Sequence, residues 1–267
     1  MVEQMQLYVM NLRRAENRML LLRERFGAAG LEVTRVEGVD GRLLDQSELD
    51  RHISGEGRWG RLTPGEVGCF LSHRACWRAL LEDGGRFGAV FEDDVLLGEN
   101  AGAVLGDTAW IPEDADIVKI ETTASRVFLD SEARGAVDGR ALYRLRSSHY
   151  CAAGYIVSRD CAQRLLAQSE AFCEALDDFL FSGLSPVFKS SRIYQLSPAI
   201  CVQQWETTGD GRTHDPHTSI EGRDDKVKRR LPTGERLREI WGKESRTLTN
   251  KLMALAGKRR RQVVEFR

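Results

Sequence analysis

Three consecutive carboxylates, Glu92-Asp93-Asp94, follow the short apolar run Ala89-Val90-Phe91 and precede Val95-Leu96-Leu97. Like charges this close repel, so each must stay hydrated or find a counter-charge. A hard divalent cation supplies one through carboxylate oxygens, and magnesium or manganese held this way takes substrate phosphates as further ligands. The apolar run, bounded by Gly88, reads as a buried strand. Acids at the carboxyl end of a strand in an α/β sheet stand where such ligands bind. The pattern points to an enzyme that uses a nucleotide diphosphate. The competing reading is plain: acids after strands are often solvated loops or helix caps. The surrounding elements decide between them.

The chain has 267 residues, enough for one large α/β domain or two small ones. A net charge of −1 gives no basic field for nucleic acid. The first residues lack the basic flank and long apolar core of a signal peptide, and no run is long enough to span a membrane. The cysteines Cys69, Cys76, Cys151, Cys161, Cys173 and Cys201 include no Cys-x-x-Cys pair, which argues against a zinc ribbon. They read as reduced, mostly buried thiols of a cytoplasmic protein, with Cys69 and Cys76 on one core-facing helix side.

Leu7 to Met10 reads as a first strand, Arg13 to Ala29 as a helix stopped by Gly30, and Leu31 to Val36 as a second strand. This opening favours a parallel sheet. Thr63-Pro64-Gly65-Glu66 is a capping box with proline in the first turn, and its helix is expected to end at Gly84-Gly85. Ile117–Ile120 and Ala152–Val157 read as strands, Ser158–Gln168 and Phe172–Phe181 as helices, and Ile200–Val202 as a last strand. Gly209 to Pro232 reads as a mobile, charged segment. Leu231 to Leu255 then carries Leu237, Ile240, Trp241, Leu248, Leu252 and Leu255 at helical spacing, before the basic run Lys258 to Arg261. That run reads either as a solvated tail or as an attachment to an anionic membrane face.

The stretch Leu62-Thr-Pro-Gly-Glu-Val-Gly-Cys-Phe-Leu-Ser-His73, then Trp77, then Val90-Phe-Glu-Asp-Asp94, closely resembles the signature of glycosyltransferase family 25. These are lipopolysaccharide and lipooligosaccharide glycosyltransferases, with relatives that galactosylate collagen. Val9 to Leu12, Arg18, Val39-Asp40-Gly41, Asp116 to Glu121, Gly154 to Ser158, Ala175-Leu176-Asp177, Pro198 to Gln203 and Ser219-Ile220 resemble its further blocks in order, over roughly residues 5 to 222. Ala175 stands where that family's block has proline, and residues after 231 match no block.

The resemblance implies a GT-A-type nucleotide-diphospho-sugar transferase fold, α/β with a mostly parallel central sheet, over 1–222. Residues 223–267 add a charged segment and a basic amphipathic helix. It implies manganese or magnesium, and a β-galactosyltransferase that uses UDP-galactose with inversion. The acceptor is a sugar of a lipopolysaccharide, lipooligosaccharide or other surface glycan precursor. Asp94 and Glu92 are the expected metal ligands. Asp93, Asn11, Arg18, Asp40, His73 and Lys119 are expected near the donor, and Asp177 is the expected base. Each has a structural alternative: Arg18 as an exposed helix residue, Asp40 as a turn aspartate, His73 as a satisfied core histidine. For Lys119 the alternative is pairing with Glu121 or Asp116, and for Asp177 it is capping of its helix. His214 and His217 either join the metal site or are exposed loop histidines. The expected location is the cytoplasm, peripheral on the inner membrane face. Two rival functions remain open at this point. One is a nucleotidyl- or phosphoryl-transferring enzyme, although no Gly-x-x-x-x-Gly-Lys loop is present; the other is a non-catalytic carbohydrate- or partner-binding relative.

Overall fold

The run ahead of the acids is the strand β3 (Phe87–Glu92), and it lies near one end of a nine-stranded sheet. The computed structural model describes residues 5–204, 229 and 233–267. Its other strands are β1 (Gln6–Asn11), β2 (Thr34–Glu37), β4 (Val95–Leu97), β5 (Ile117–Lys119), β6 (Arg126–Val137) and β7 (Arg140–Leu145). Then follow β8 (Gly154–Ser158), β9 (Ile193–Ser197), β10 (Cys201–Gln203) and β11 (Arg259–Val263). The order across the large sheet is β11-β6-β7-β9-β5-β8-β3-β1-β2, while β4 and β10 form a separate two-stranded sheet.

β2, β1 and β3 pair in parallel, as do β5 and β9; the remaining pairs are antiparallel. By those pairings β1, β2, β3, β5, β6 and β9 share one direction, and β7, β8 and β11 oppose them. The sheet is therefore parallel where the acids sit and mixed beyond them. This is a mixed α/β architecture with helices on a large central sheet.

Helices cover both faces. α1 (Glu16–Ala28) and α4 (Ala101–Leu105) lie on one side, α3 (Pro64–Asp83) and α5 (Arg159–Gln168) on the other; α2 (Gln46–His52) precedes α3. Strand alternation sorts the core. Tyr8, Met10 and Val90 face α3, while Leu7, Val9, Ala89 and Phe91 pack with Met19, Leu22 and Phe26 of α1. The α3 capping box forms as read: Thr63 accepts from Glu66 N, Glu66 accepts from Thr63 N, and the helix stops at Gly84 with φ 83°. Ser158 caps α5 by accepting from Cys161 N. α6 (Leu176–Phe181), shorter than expected, and α7 (Pro186–Ser190) follow, and α8 (Thr233–Leu255) comes late in the chain.

The basic run is not a free tail. Arg259 to Val263 is an edge strand on β6, with Arg260 over the Tyr143 ring at 3.7 Å and Arg259 3.4 Å from Asp130. Residues beyond it remain bonded to the body, since Thr122 Oγ1 donates to the Val264 carbonyl at 2.6 Å. The boundary expected at 222 falls outside the described residues.

Burial dictates a pH response. His149 is sealed, with Nδ1 2.8 Å from Gln195 Oε1. Burial first, and then the Lys119 charge, hold its pKa down at about 3. The unfolded chain takes up a proton there below about pH 6.5 and the folded chain does not, so this stability is present above 6.5 and is lost as pH falls toward 3. Each such proton steepens the loss by about 1.4 kcal/mol per pH unit. The wild type is expected to lose melting temperature more steeply than His149→Gln between pH 6.5 and 4.5. Parallel curves would refute the assignment.

Candidate active site

The carboxyl ends of β1, β3 and β5 and the start of β8 meet at one sheet edge. β1 delivers Asn11, β3 delivers Glu92, and the turn into β4 carries Asp93 and Asp94. β10 pairs with β4, placing Gln203 opposite Val95, and Gln204 N donates to the Asp94 carbonyl at 2.9 Å. α3 comes close to the turn after β2 because both carry glycine. A Cβ on Gly41 would lie 1.7 Å from the Pro64 carbonyl oxygen, and one on Gly68 2.5 Å from that of Val39. Ser72 seals the contact by accepting from Val39 N at 2.8 Å. This seats His73 behind the acids.

The acids are unequally compensated. Asp93 pairs with Arg18 and accepts from Asn11 Nδ2 at 2.6 Å, while Arg18 stands 3.5 Å from Asp94. Glu92 Oε2 accepts from Gln203 Nε2 at 3.3 Å. Burial, and then the neighbouring Glu92 charge, push Asp94 up to about 7; burial also raises Asp93. Apart from arginine Nε atoms, the buried side-chain polar atoms without a partner among the described residues are Asn11 Oδ1, His73 Nε2, Asp94 Oδ1 and Glu121 Oε1. All four stand at this edge.

His73 is fully buried, and burial holds its pKa down at about 3, so it is neutral. Trp77 Nε1 donates to Tyr155 Oη at 2.8 Å, and Tyr155 Oη lies 3.0 Å from His73 Nδ1. Tyr155 is sealed too, and its hydroxyl proton finds its acceptor at Nδ1. The ring proton is thereby left on Nε2, 3.6 Å from Glu92 Oε1. The tautomer is assigned by this proton count.

In front of these groups opens a cleft of about 450 Å³, counted to its mouth. Glu92, Gln203, Cys69 and Glu66 form one wall, and Cys151, Ala152 and Ala175 to Asp177 the other. The expected metal-side acid and the expected base thus face one space. Asp177 opens α6, its Oδ1 accepts from Asp178 N at 3.0 Å, and its Oδ2 accepts from Cys151 N at 3.4 Å.

Other expected residues lie elsewhere. Lys119 does not reach the cleft. It is sealed, donates to Glu121 Oε2 at 2.9 Å and to the Cys151 carbonyl at 2.5 Å, and sits 4.3 Å from the Phe181 ring centroid. The Glu121 pairing is the observed arrangement, since a sealed ammonium needs a counter-charge. Asp40 also lies off the cleft. It caps the short turn Gly41–Leu43 and pairs with Arg14 at 2.7 Å and Arg42 at 3.1 Å, which lower its pKa. Asn11 spends its amide on Asp93 and the Ala15 carbonyl. His214 and His217 lie outside the described residues. In sequence Cys69 and Cys151 read as packing residues, and Gln203 and Tyr155 declare no role of their own. The one signal for Gln203 was an amide at the end of an apolar run.

The sequence profile of glycosyltransferase family 25 (LPS biosynthesis protein) matches residues 4–180. The chain belongs to glycosyltransferase family 25. It is 30% identical over 213 residues to the lacto-N-neotetraose biosynthesis glycosyltransferase LgtE of Neisseria meningitidis serogroup B, covering 75% of this chain and 74% of that one. It is 32% identical over 207 residues to the lipooligosaccharide biosynthesis protein lic2B of Haemophilus influenzae, covering 74% and 71%. A crystal structure of a glycosyltransferase involved in glycosylating the major capsid of PBCV-1 aligns over 82% of this chain and 97% of that one, at 10% identity and a TM-score of 0.40. No conclusion rests on that distant likeness. Among the described residues no helix is long and apolar enough to cross a membrane.

This family 25 site fits a divalent cation. Asp94 Oδ1 is a buried, unpartnered carboxylate oxygen, and Asp93 and Asp94 share Arg18. An oxygen donor set of this kind suits manganese or magnesium. Cys69, His73 and Glu92 also bring one donor atom each within 4.8 Å of one another, a softer set at the back of the same cleft. With its ring proton on Nε2, His73 turns that proton toward Glu92 Oε1 at 3.6 Å, just beyond hydrogen-bond reach. His73→Ala is expected to weaken manganese binding about 10- to 100-fold with the fold retained, as is usual when a ligand's partner is removed. Nitrogen NMR should find His73 protonated on Nε2 at neutral pH; a proton on Nδ1 would overturn the chain of bonds.

Proposed function

We propose that this protein is a metal-dependent hexosyltransferase that moves galactose from UDP-galactose, with inversion, onto a sugar of a lipooligosaccharide or related surface glycan precursor. The observation that carries this reading is Glu92 and Asp177 lining one cleft, with Asp94 half-buried beside Glu92 and its Oδ1 buried without a partner. Names of the relatives refer to lacto-N-neotetraose and lipooligosaccharide biosynthesis, which supports the acceptor class. Asp94 and Glu92 would hold manganese or magnesium, which supplies positive charge to the leaving diphosphate.

The chain's own residues do the rest. Arg18, tied to Asp93 and near Asp94, adds a fixed positive charge where the diphosphate's negative charge develops. Gln203 donates to Glu92, and the buried His73 ring stands 3.6 Å behind it, which restrains the carboxylate as the donor seats. Asp177 takes the proton of the acceptor hydroxyl. That oxygen forms a bond to the anomeric carbon as the bond from this carbon to the diphosphate breaks, and UDP departs from the opposite face. Inversion follows from this single displacement.

A panel of UDP-sugars with manganese tests the reading. Asp94→Asn keeps the shape and removes the charge, and transfer should drop at least about 100-fold while folding persists. Asp177→Asn should lose about 100- to 10,000-fold in transfer with donor binding retained. Full turnover of Asp94→Asn in excess chelator would remove the metal role. A dead Asp178→Asn beside a working Asp177→Asn would move the base by one residue. Donor binding with neither transfer nor hydrolysis would favour a binding protein.

A further inference from the structure

α8 packs inside out. The residues that touch the body are polar or small and recur at helical spacing: Glu239, Gly242, Arg246 and Asn250. Glu239 pairs with Arg58 at 2.8 Å, and Gly242 lies against Leu184. Arg246 stands 5.8 Å from the Phe188 ring centroid. Asn250 is buried and donates to the Arg146 carbonyl at 3.1 Å while accepting from Arg259 at 2.6 Å. The opposite side carries Leu237, Trp241, Leu248, Leu252 and Leu255, at exposures of 53, 74, 58, 56 and 86%. A helix that belongs only to a soluble domain turns its apolar stripe inward. An exposed apolar stripe on a well-anchored helix, interrupted by Glu244 between Trp241 and Leu248, marks an interaction surface.

We propose that this stripe docks on an anionic lipid surface. Residues 233–258 hold six basic residues against three acids in a chain whose net charge is −1. Arg236, Lys243, Lys251 and Lys258 are exposed around the stripe. Leucine and tryptophan on one side with lysine and arginine beside them form the pattern of a helix lying in a membrane interface. A second copy docked through the same stripe would bring two basic flanks together.

The position suits the cleft. Arg58, the partner of Glu239, donates through its backbone N to Glu174 at 2.8 Å, one residue before the cleft wall that begins at Ala175. Leu184 and Phe188 follow α6, which carries Asp177. Docking through α8 sets that wall near the lipid, where the sugar of a lipid-linked acceptor arrives; this last step rests on the proposed acceptor class, and the docking itself does not.

The test uses the full chain, vesicles of neutral lipid with or without anionic lipid, and the variant Trp241→Glu/Leu248→Glu/Leu252→Glu. These side chains leave the helix contacts with the body untouched. The wild type should co-sediment with anionic vesicles and its Trp241 emission should shift to the blue. The variant should lose at least about tenfold in vesicle binding, as apolar interfacial burial requires. Asp94→Asn should bind vesicles like the wild type, so loss of transferase activity and loss of docking are read separately. Equal sedimentation of wild type and variant, or no vesicle binding by the wild type, overturns the proposal. A wild-type dimer that the variant converts to monomer, without vesicle binding, would make the stripe a contact between copies.

Discussion

Crowding three half-buried carboxylates at the end of one strand is the constraint that organises this half of the molecule. Glu92, Asp93 and Asp94 stand side by side, and Asp94 and Asp93 are both pushed up by burial. The fold answers with one charge and several dipoles. The chain leaves β1 through a short turn into α1, so Asn11 and Arg18 both reach Asp93. β10 folds back on β4 to bring the Gln203 amide to Glu92. α3 is drawn against the Val39–Gly41 turn by two glycines, which puts the His73 ring behind Glu92. Each device brings a donor group up to an anion, the His73 ring only to 3.6 Å, and together they still leave Asp94 short of compensation.

A second buried charge lies one layer deeper. Lys119 and Glu121 pair in the sheet below the acids, and burial raises Glu121 although Lys119 opposes it and the acids above add to it. Removing one partner of such a pair strands the other, at about 3–5 kcal/mol. Lys119 also joins two walls of the site. It bonds the Cys151 carbonyl and lies over Phe181, which ends α6 and packs edge-on against Tyr155 at 6.1 Å. Asp177 opens that same helix. The acids, the histidine relay and Asp177 are therefore held by one connected set of buried groups. In this arrangement Lys119 bonds only within the protein and ties the walls of the site together.

Local signals were legible in the sequence and non-local ones were not. The capping box at Thr63, the cap at Ser158 and the acids after an apolar run each declare themselves within a few residues, and the structure places them as read. β6 reads Arg-Val-Phe-Leu-Asp-Ser-Glu-Ala-Arg-Gly-Ala-Val, too charged for a strand signal. Its pairing with β7 and β11 supplies what its composition lacks. Lys119 and Asp40 were drawn toward the ligand because a charge in or after a strand suggests one. Their partners Glu121 and Arg42 lie two residues away, and composition alone cannot say which of the two pulls wins. Gln203 and Tyr155 were missed because their meaning comes from Glu92 and His73, distant in sequence.

The late segment shows why charge patterning misleads when read without partners. Lys258 to Arg261 reads in sequence as a solvated or membrane-facing run, and Leu237 to Leu255 as apolar residues at helical spacing. β6 is long and would otherwise present an open edge, a template for pairing with other chains. An arginine-rich strand covers it well, since guanidinium groups settle over Tyr143 and Phe128 and their stems lie along apolar surface. β11 then turns a charged edge to solvent. Gly257, at φ 71°, makes the tight turn from α8 into β11, and the bond from Arg259 to Asn250 clasps the two elements. Once the edge strand is fixed, Asn250 has to face inward, and at helical spacing Arg246, Gly242 and Glu239 follow it. The apolar stripe is left outside because the polar face holds the anchors.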